Sequence, residues 1–435
     1  MTGLFTFGFA LASVAALMLA IAMIRAFGKR HGWSAEVQRK AVHMLVGLYA
    51  MALPLFFATD MPVVVLVVLA IVAMIAMRVS AGRLGEAGAA IHSVERRGLG
   101  DIWLAVAVGF LFLRSGGSYI LYGLPLAIIT LSDAAAALTG STYGRRRFVT
   151  EAGVKSWEGI IAFTTVGWIV SMAMLLLFSD AGRGEVILLG LVIAAFGAMV
   201  EAVSWRGLDN LFVPLAIHFY LRGFLDAGPL AICLTAILFF AITAMAQGAS
   251  RWLQLAPHTA RAFAVALFII AGVGGPYGVA MPALAIAGFL LARRYLPVGK
   301  GHPELDFLAT ICGGAAIWLF VGEMIGPTAI HYFNLAFAGM FVAYGVMGLR
   351  AAGRGWWSVP LAVLAVALVH LAGRAGWHAA PVPHALPGLA ALSLAVVALF
   401  CIIAAAWLRR WRAPKAFAIA SLMPMSAYLF EVTVR

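Results

Sequence analysis

A single carboxylate and a group of cations stand out within thirty residues of an otherwise apolar stretch. Asp133 lies inside a hydrophobic run, and Arg145, Arg146, Arg147, Lys155 and Glu158 follow closely. A carboxylate costs roughly 2.5–3.5 kcal/mol in the middle of a membrane helix, so a metal, a basic residue or a hydroxyl is expected to offset Asp133. Asp133, Ala136, Gly140 and Gly144 recur at i, i+3, i+7 and i+11, a stripe narrower than about 90° on one helix face. Close helix packing explains the glycines of that stripe but not its aspartate. Three consecutive arginines either fix topology or grip a polyphosphate through bidentate hydrogen bonds. Lys155-Ser156-Trp157-Glu158-Gly159 favours the second reading. Ser156 can cap a following helix, with Glu158 in its first turn. The N–H groups of that helix start, with Lys155 beside them, suit an anion. Trp157 also fits an interfacial anchor. G-x-x-x-x-G-K-[ST] is absent, and so is a glycine-rich dinucleotide pattern after a strand.

These residues need elements to hold them, and the composition says which. The chain has 435 residues, of which 64% are hydrophobic and 11% charged, against about 25% charged in a soluble domain. Its apolar runs are continuous and rich in Ala and Leu, without the alternation of a membrane barrel. The expected fold is all-α: a polytopic integral membrane helical bundle of about 14–16 transmembrane helices, with separate crossings at 259–274 and 276–293. The first apolar stretch is too long for a signal-peptide core and is expected to remain as a helix.

The net charge of +13 is distributed as membrane topology requires, so no nucleic acid partner is implied. With the N-terminus outside, fourteen lysines and arginines fall in the loops after crossings one, three, five and seven. Two, Arg114 and Arg183, fall in the loops between. Basic loops stay on the cytoplasmic side, which puts the Arg145–Lys155 segment in the cytoplasm. Cys233, Cys312 and Cys401 stand singly in apolar runs and are expected to be buried thiols. Glu323, His331, Asn334 and His370 are polar residues of the later crossings that form no motif.

D-x-x-A-x-x-x-G-x-x-x-G, a basic segment ending in Phe148, and K-S-W-E-G together resemble the phytol kinase and dolichol kinase family of CTP-using polyprenol kinases. Arg39-Lys40-Ala-Val-His43-Met-Leu-Val-Gly47 resembles that family's early R-K-x-x-H-x-x-x-G. Glu95-Arg96-Arg97 running into Gly100 and Trp103 resembles its charged loop. Glu201 followed by Leu208-Asp209-Asn210-Leu-Phe-Val213-Pro214-Leu215 resembles the phytol-kinase E…D-D-N-x-x-V-P-L, with Leu208 in place of the first aspartate. The ordered matches cover about residues 35–216. The resemblance implies a kinase-like membrane domain over 1–222 and an added multi-pass module over 223–435.

It also implies a site at the cytoplasmic membrane face, integral to a bacterial inner membrane. CTP would lie against Gly140 and Gly144. Arg96, Arg97, Arg145, Arg146, Arg147, Lys155, Ser156, Glu158 and Gly159 would surround its phosphates. Asp133, Asp209 and Asn210 would carry Mg²⁺. Asp133 or His43 would act as general base, with Glu201 as a further catalytic group. Arg39, Lys40, Trp157 and Pro214 would flank the site. An isoprenoid alcohol would enter from the membrane lipid. Two other readings share parts of the pattern: a cytidylyltransferase forming a CDP-lipid, and a secondary transporter or lipid-handling protein. Transporters place polar groups at broken helices near the midplane, whereas here they gather in the loops of one half. The sequence carries no signal for an oligomeric state.

Overall fold

The computed structural model describes residues 3–83, 99–150, 153–296, 303–375, 381–404, 407–409 and 412–434. The described residues form sixteen α-helices and one two-stranded hairpin. Among the described residues ten helices are long and apolar enough to cross a membrane, and the chain is a polytopic helical membrane protein. Two compact units divide within one helix, the first being Met1–Ala241 and the second Ile242–Arg435.

In the first unit, α1 (Gly3–Arg30), α2 (Ala35–Phe56), α3 (Asp60–Arg83) and α4 (Gly100–Arg114) precede a segment that changes pitch midway. That segment is α5 (Tyr119–Ala127), a π-helical turn (Ile128–Ser132) and α6 (Asp133–Tyr143). The strands β1 (Arg147–Thr150) and β2 (Gly153–Ser156) follow, paired antiparallel with Arg147 opposite Ser156 and Phe148 opposite Lys155. Then come α7 (Trp157–Phe178), α8 (Arg183–Val203), α9 (Asp209–Phe224) and α10 (Pro229–Ala249). The core lies around the π turn, where Leu124, Ile128, Ile129, Phe163, Ile193 and Ile217 are fully buried.

The hairpin is a departure from the expected helices and loops. Phe148, Val149, Thr150 and Val154 favour extended backbone, and Gly153 supplies a φ of 127° that side chains resist.

The second unit contains α11 (Pro257–Ala292), α12 (Pro303–Ile325), α13 (Ala329–Ala351), α14 (Ser358–Arg374), α15 (Leu386–Ile403) and α16 (Arg412–Val434). As one straight helix, the 36 residues of α11 would extend about 54 Å, far beyond a hydrocarbon core of about 30 Å. Gly275, at φ 62°, reverses the chain instead. The Phe263 and Phe289 rings on either side come within 6.4 Å, and Arg293 donates to the Gln254 carbonyl at 2.5 Å. The two arms therefore correspond to the separate crossings at 259–274 and 276–293.

α13 is the central helix of this unit, buried along nearly its whole length. His331 and Asn334 lie wholly inside. The Tyr277 hydroxyl is 2.9 Å from His331 Nδ1, and Asn334 Nδ2 donates to Ile330 O. His370 is exposed, and the Glu323 side chain lies outside the described residues. All three cysteines are free.

Candidate functional site

One face of α2 sets the first half of the site. Lys40, His43 and Gly47 lie at i, i+3 and i+7 and so share that face. A Cβ on Gly47 would lie 2.0 Å from Thr130 Oγ1; the absent side chain lets α2 rest directly on the π turn. The contact carries Lys40 onto Asp133, 93 residues away in the sequence. Lys40 Nζ donates to Asp133 Oδ2, with Lys40 2% and Asp133 6% exposed. A basic residue is thus what offsets the buried carboxylate. His43 Nε2 is 3.7 Å from the same oxygen and donates to the Ile129 carbonyl at 3.1 Å. Because a carbonyl only accepts, this bond assigns the ring proton to Nε2. π turns are often found at functional positions, and this one stands immediately before Asp133.

Gly47→Ala is expected to push α2 off the π turn. Overpacking of this kind costs about 1–3 kcal/mol. The thermal midpoint in detergent should drop, and Thr130→Ala in the same chain should restore part of the loss. An unchanged midpoint for Gly47→Ala would show that the contact is slack.

The hairpin and the start of α7 make the second half. Ser156 is the N-cap of α7, its Oγ accepting from Gly159 N at 3.1 Å. Trp157 N donates to Arg146 O at 3.0 Å, and Arg146 N donates to Glu158 Oε1 at 3.1 Å. Arg147 Nε donates to Gly144 O at 3.1 Å. Arg145, Arg146 and Arg147 are exposed. The guanidinium groups of Arg145 and Arg146 make no hydrogen bond or ion pair among the described residues. Exposed Trp157 packs on Phe148 with ring centroids 5.5 Å apart.

The Gly140/Gly144 face is filled by protein. A Cβ on Gly140 would lie 3.0 Å from Ser156 Oγ, one on Gly144 2.9 Å from Ser156 Cβ, and one on Gly159 3.0 Å from the Ala136 carbonyl. These glycines let α6 meet the first turn of α7 closely, which is the packing role of such stripes.

Lys155 reaches the end of α8. Its Nζ donates to Glu201 Oε1 at 2.8 Å and to the Glu201 carbonyl at 2.5 Å. The start of α9 adds Asp209 and Asn210. A turn with Gly207 at φ 80° lets the chain approach Gly100, where Asn210 Nδ2 donates to Gly100 O at 3.0 Å. Pro214 is buried one turn further along α9. Arg39, beside Lys40, pairs with Glu36 at 2.6 Å. Asp133 and Asp209 each exert their charge on Arg39, His43 and Glu201. The two lysine–carboxylate pairs and Asp209 therefore form one electrostatic cluster. Arg78 of α3 pairs with Asp101 at the start of α4, which brings further loop ends to the same end of the unit. Arg96 and Arg97 lie outside the described residues.

No group of three or more His, Cys, Asp or Glu among the described residues is placed to hold a metal. Asp133 Oδ2 is already bound by Lys40. Asn210 Oδ1, however, is buried and has no hydrogen-bond partner among the described residues, and half-buried Asp209 is next to it. Oxygen donors of this kind suit Mg²⁺ that arrives with phosphates and needs only one or two protein carboxylates.

The chain is similar to a phytol kinase. Over 132 residues it is 29% identical to a protein of that name from Synechocystis sp., a match covering 29% of this chain and 54% of that protein. The chain thus spans about half the length of the relative it matches. No protein-family model matches the chain, and no solved structure does.

The sequence motifs pointed to Asp133, Lys155, His43 and Glu201; the fold pairs Lys40 with Asp133, sets His43 beside them, and pairs Lys155 with Glu201. Sequence reasoning left Lys40 without a partner and did not find the hairpin or the π turn. The R-K-x-x-H-x-x-x-G spacing held the signal for Lys40, since it places Lys40 on the His43 and Gly47 face.

Proposed function

We propose that this protein transfers the γ-phosphoryl group of CTP to an isoprenoid alcohol at the cytoplasmic membrane face. The carrying observation is the buried Lys40–Asp133 pair, with His43 beside it, electrostatically joined to Lys155–Glu201 and Asp209. Phosphoryl transfer asks mainly for positioning and charge neutralisation, and these are the groups at hand. The similarity to a phytol kinase supports the alcohol as substrate class. The choice of CTP rests on the family resemblance of the motifs. The basic-loop asymmetry supports the cytoplasmic face.

In this reading the exposed Arg145, Arg146 and Arg147 draw in the triphosphate beside the hairpin, since the glycine stripe is already packed. Lys155 orients the terminal phosphates from its seat on Glu201. Asp133 takes the alcohol proton, with His43 beside it, its Nε2 hydrogen donated to the Ile129 carbonyl. Mg²⁺, held by Asp209 and Asn210 Oδ1, would supply charge neutralisation on the phosphates. In this reading the kinase-like domain spans residues 1–222, within the compact unit Met1–Ala241, and residues 223–435 are an added membrane module.

The test is label transfer from γ-labelled CTP to phytol or a longer polyprenol in membranes containing the protein. Labelled prenyl phosphate with release of CDP is expected. Pyrophosphate with a CDP-lipid would assign a cytidylyltransferase instead, and no labelled lipid with any prenol would remove the kinase reading.

A further inference from the structure

Asp133 is the proton acceptor in the proposed reaction, yet its carboxylate oxygen Oδ2 is already engaged. Lys40 Nζ is bound to Oδ2, His43 Nε2 is 3.7 Å from the same atom, and Lys40 and Asp133 are both almost completely buried. An uncharged hydroxyl does not displace an ammonium from a carboxylate in such a place. The alternative for Lys40 would be a buried, unpaired charge, which is strongly unfavourable. A triphosphate is different. It carries several negative charges and offers the ammonium a new anionic partner before the old one is given up.

We infer that Lys40 is a positioning residue that imposes a binding order, covering Asp133 until the nucleotide phosphates draw its ammonium away, so that the nucleotide binds before the alcohol. The inference rests on the kinase reading above and adds to it the sequence of events at the site. Arg39, the adjacent residue on α2, is already held by Glu36 and leaves Lys40 as the α2 cation on Asp133. Once Lys40 has moved, the alcohol oxygen attacks the γ-phosphorus and its proton passes to Asp133. The bond from the γ-phosphorus to the bridging oxygen breaks, and CDP departs with that bond's electron pair. Return of Lys40 to Asp133 after proton release closes the site again.

Isotope trapping tests the order. Full-length protein in lipid nanodiscs is pulsed with γ-labelled CTP, then chased with phytol and excess unlabelled CTP. In the reverse arm it is pulsed with tritiated phytol, then chased with CTP and excess unlabelled phytol. For the wild type, label captured from the CTP pulse and none from the phytol pulse is expected. For Lys40→Gln, phytol capture should appear, while Lys40→Arg should retain the wild-type order. Equal capture from both pulses in the wild type would overturn the inference and leave the kinase reading intact. An unaltered order in Lys40→Gln would also overturn it, since a purely structural ion pair has no influence on order. Absence of labelled prenyl phosphate when labelled CTP and phytol are supplied together without a chase would instead overturn the kinase reading. Should Lys40→Gln fail to fold, equal capture from both pulses in the wild type still overturns the inference.

Discussion

Asp133→Asn is expected to give a protein that is both inactive and less stable, whereas Lys40→Met with Asp133→Asn is expected to be inactive and stable. The two phenotypes separate because the pair has two roles. As an ion pair it is buried on both sides. Removing one partner leaves the Lys40 ammonium uncompensated, and breaking a buried pair this way costs about 3–5 kcal/mol. Replacing both partners with uncharged groups of similar volume leaves no unpaired buried charge and so removes that penalty. As chemistry, Asp133 is the acceptor of the alcohol proton, and neither variant restores a carboxylate. Loss of a positioned general base lowers turnover by about 10²–10⁴-fold. The measurements are a thermal midpoint in detergent and the rate of prenyl phosphate formation for both variants. Wild-type activity in the double variant would limit Asp133 to a structural role.

The same pair shows where sequence reading stops. Asp133 was conspicuous because a carboxylate in an apolar run needs compensation, and that need is local. Its partner is 93 residues away, brought there by the seating of Gly47 on Thr130, and no spacing rule reaches that far. The long crossings were legible because their apolar runs are continuous; the shorter runs carry less signal, and against the 14–16 expected, ten helices among the described residues are long and apolar enough to cross. The break in α11 was legible too, since Gly274-Gly275-Pro276 can neither continue a helix nor resist a positive φ.

The π turn left no trace in Ile128–Ser132, whose side chains fit either helical form; α2 and α7 both pack against it. The hairpin was missed because four residues per strand are too few for alternation to register. Its Arg147 and Lys155, with Arg145 and Arg146 just before it, drew attention as charges suited to a phosphate rather than as extended backbone. The glycine stripe admitted two readings from its spacing alone. Only the position of Ser156 against Gly140 and Gly144 tells that helix packing uses that face.

The Lys155–Glu201 pair leads to the second large effect. Lys155→Ala is expected to reduce kcat/KM for CTP by roughly 10–100-fold, the consequence of losing a charge-assisted hydrogen bond of about 1.5–3 kcal/mol. The loss should be mainly in KM, because Lys155 is proposed to hold phosphate rather than to move a proton. Glu201→Gln should be milder. Lys155 also donates to the Glu201 carbonyl at 2.5 Å, and the backbone acceptor survives the substitution, so β2 stays attached to the end of α8. Two groups in direct contact couple by about 0.5–3 kcal/mol in a double-mutant cycle. Lys155→Ala with Glu201→Gln should accordingly fall short of the product of the single effects. Titration of initial rate against CTP for the four proteins gives both numbers. A fall confined to kcat in Lys155→Ala would move Lys155 from phosphate binding to the chemical step. Strict multiplicativity would mean that Glu201 acts independently, through its effect on Asp133 and Asp209 rather than by seating the lysine.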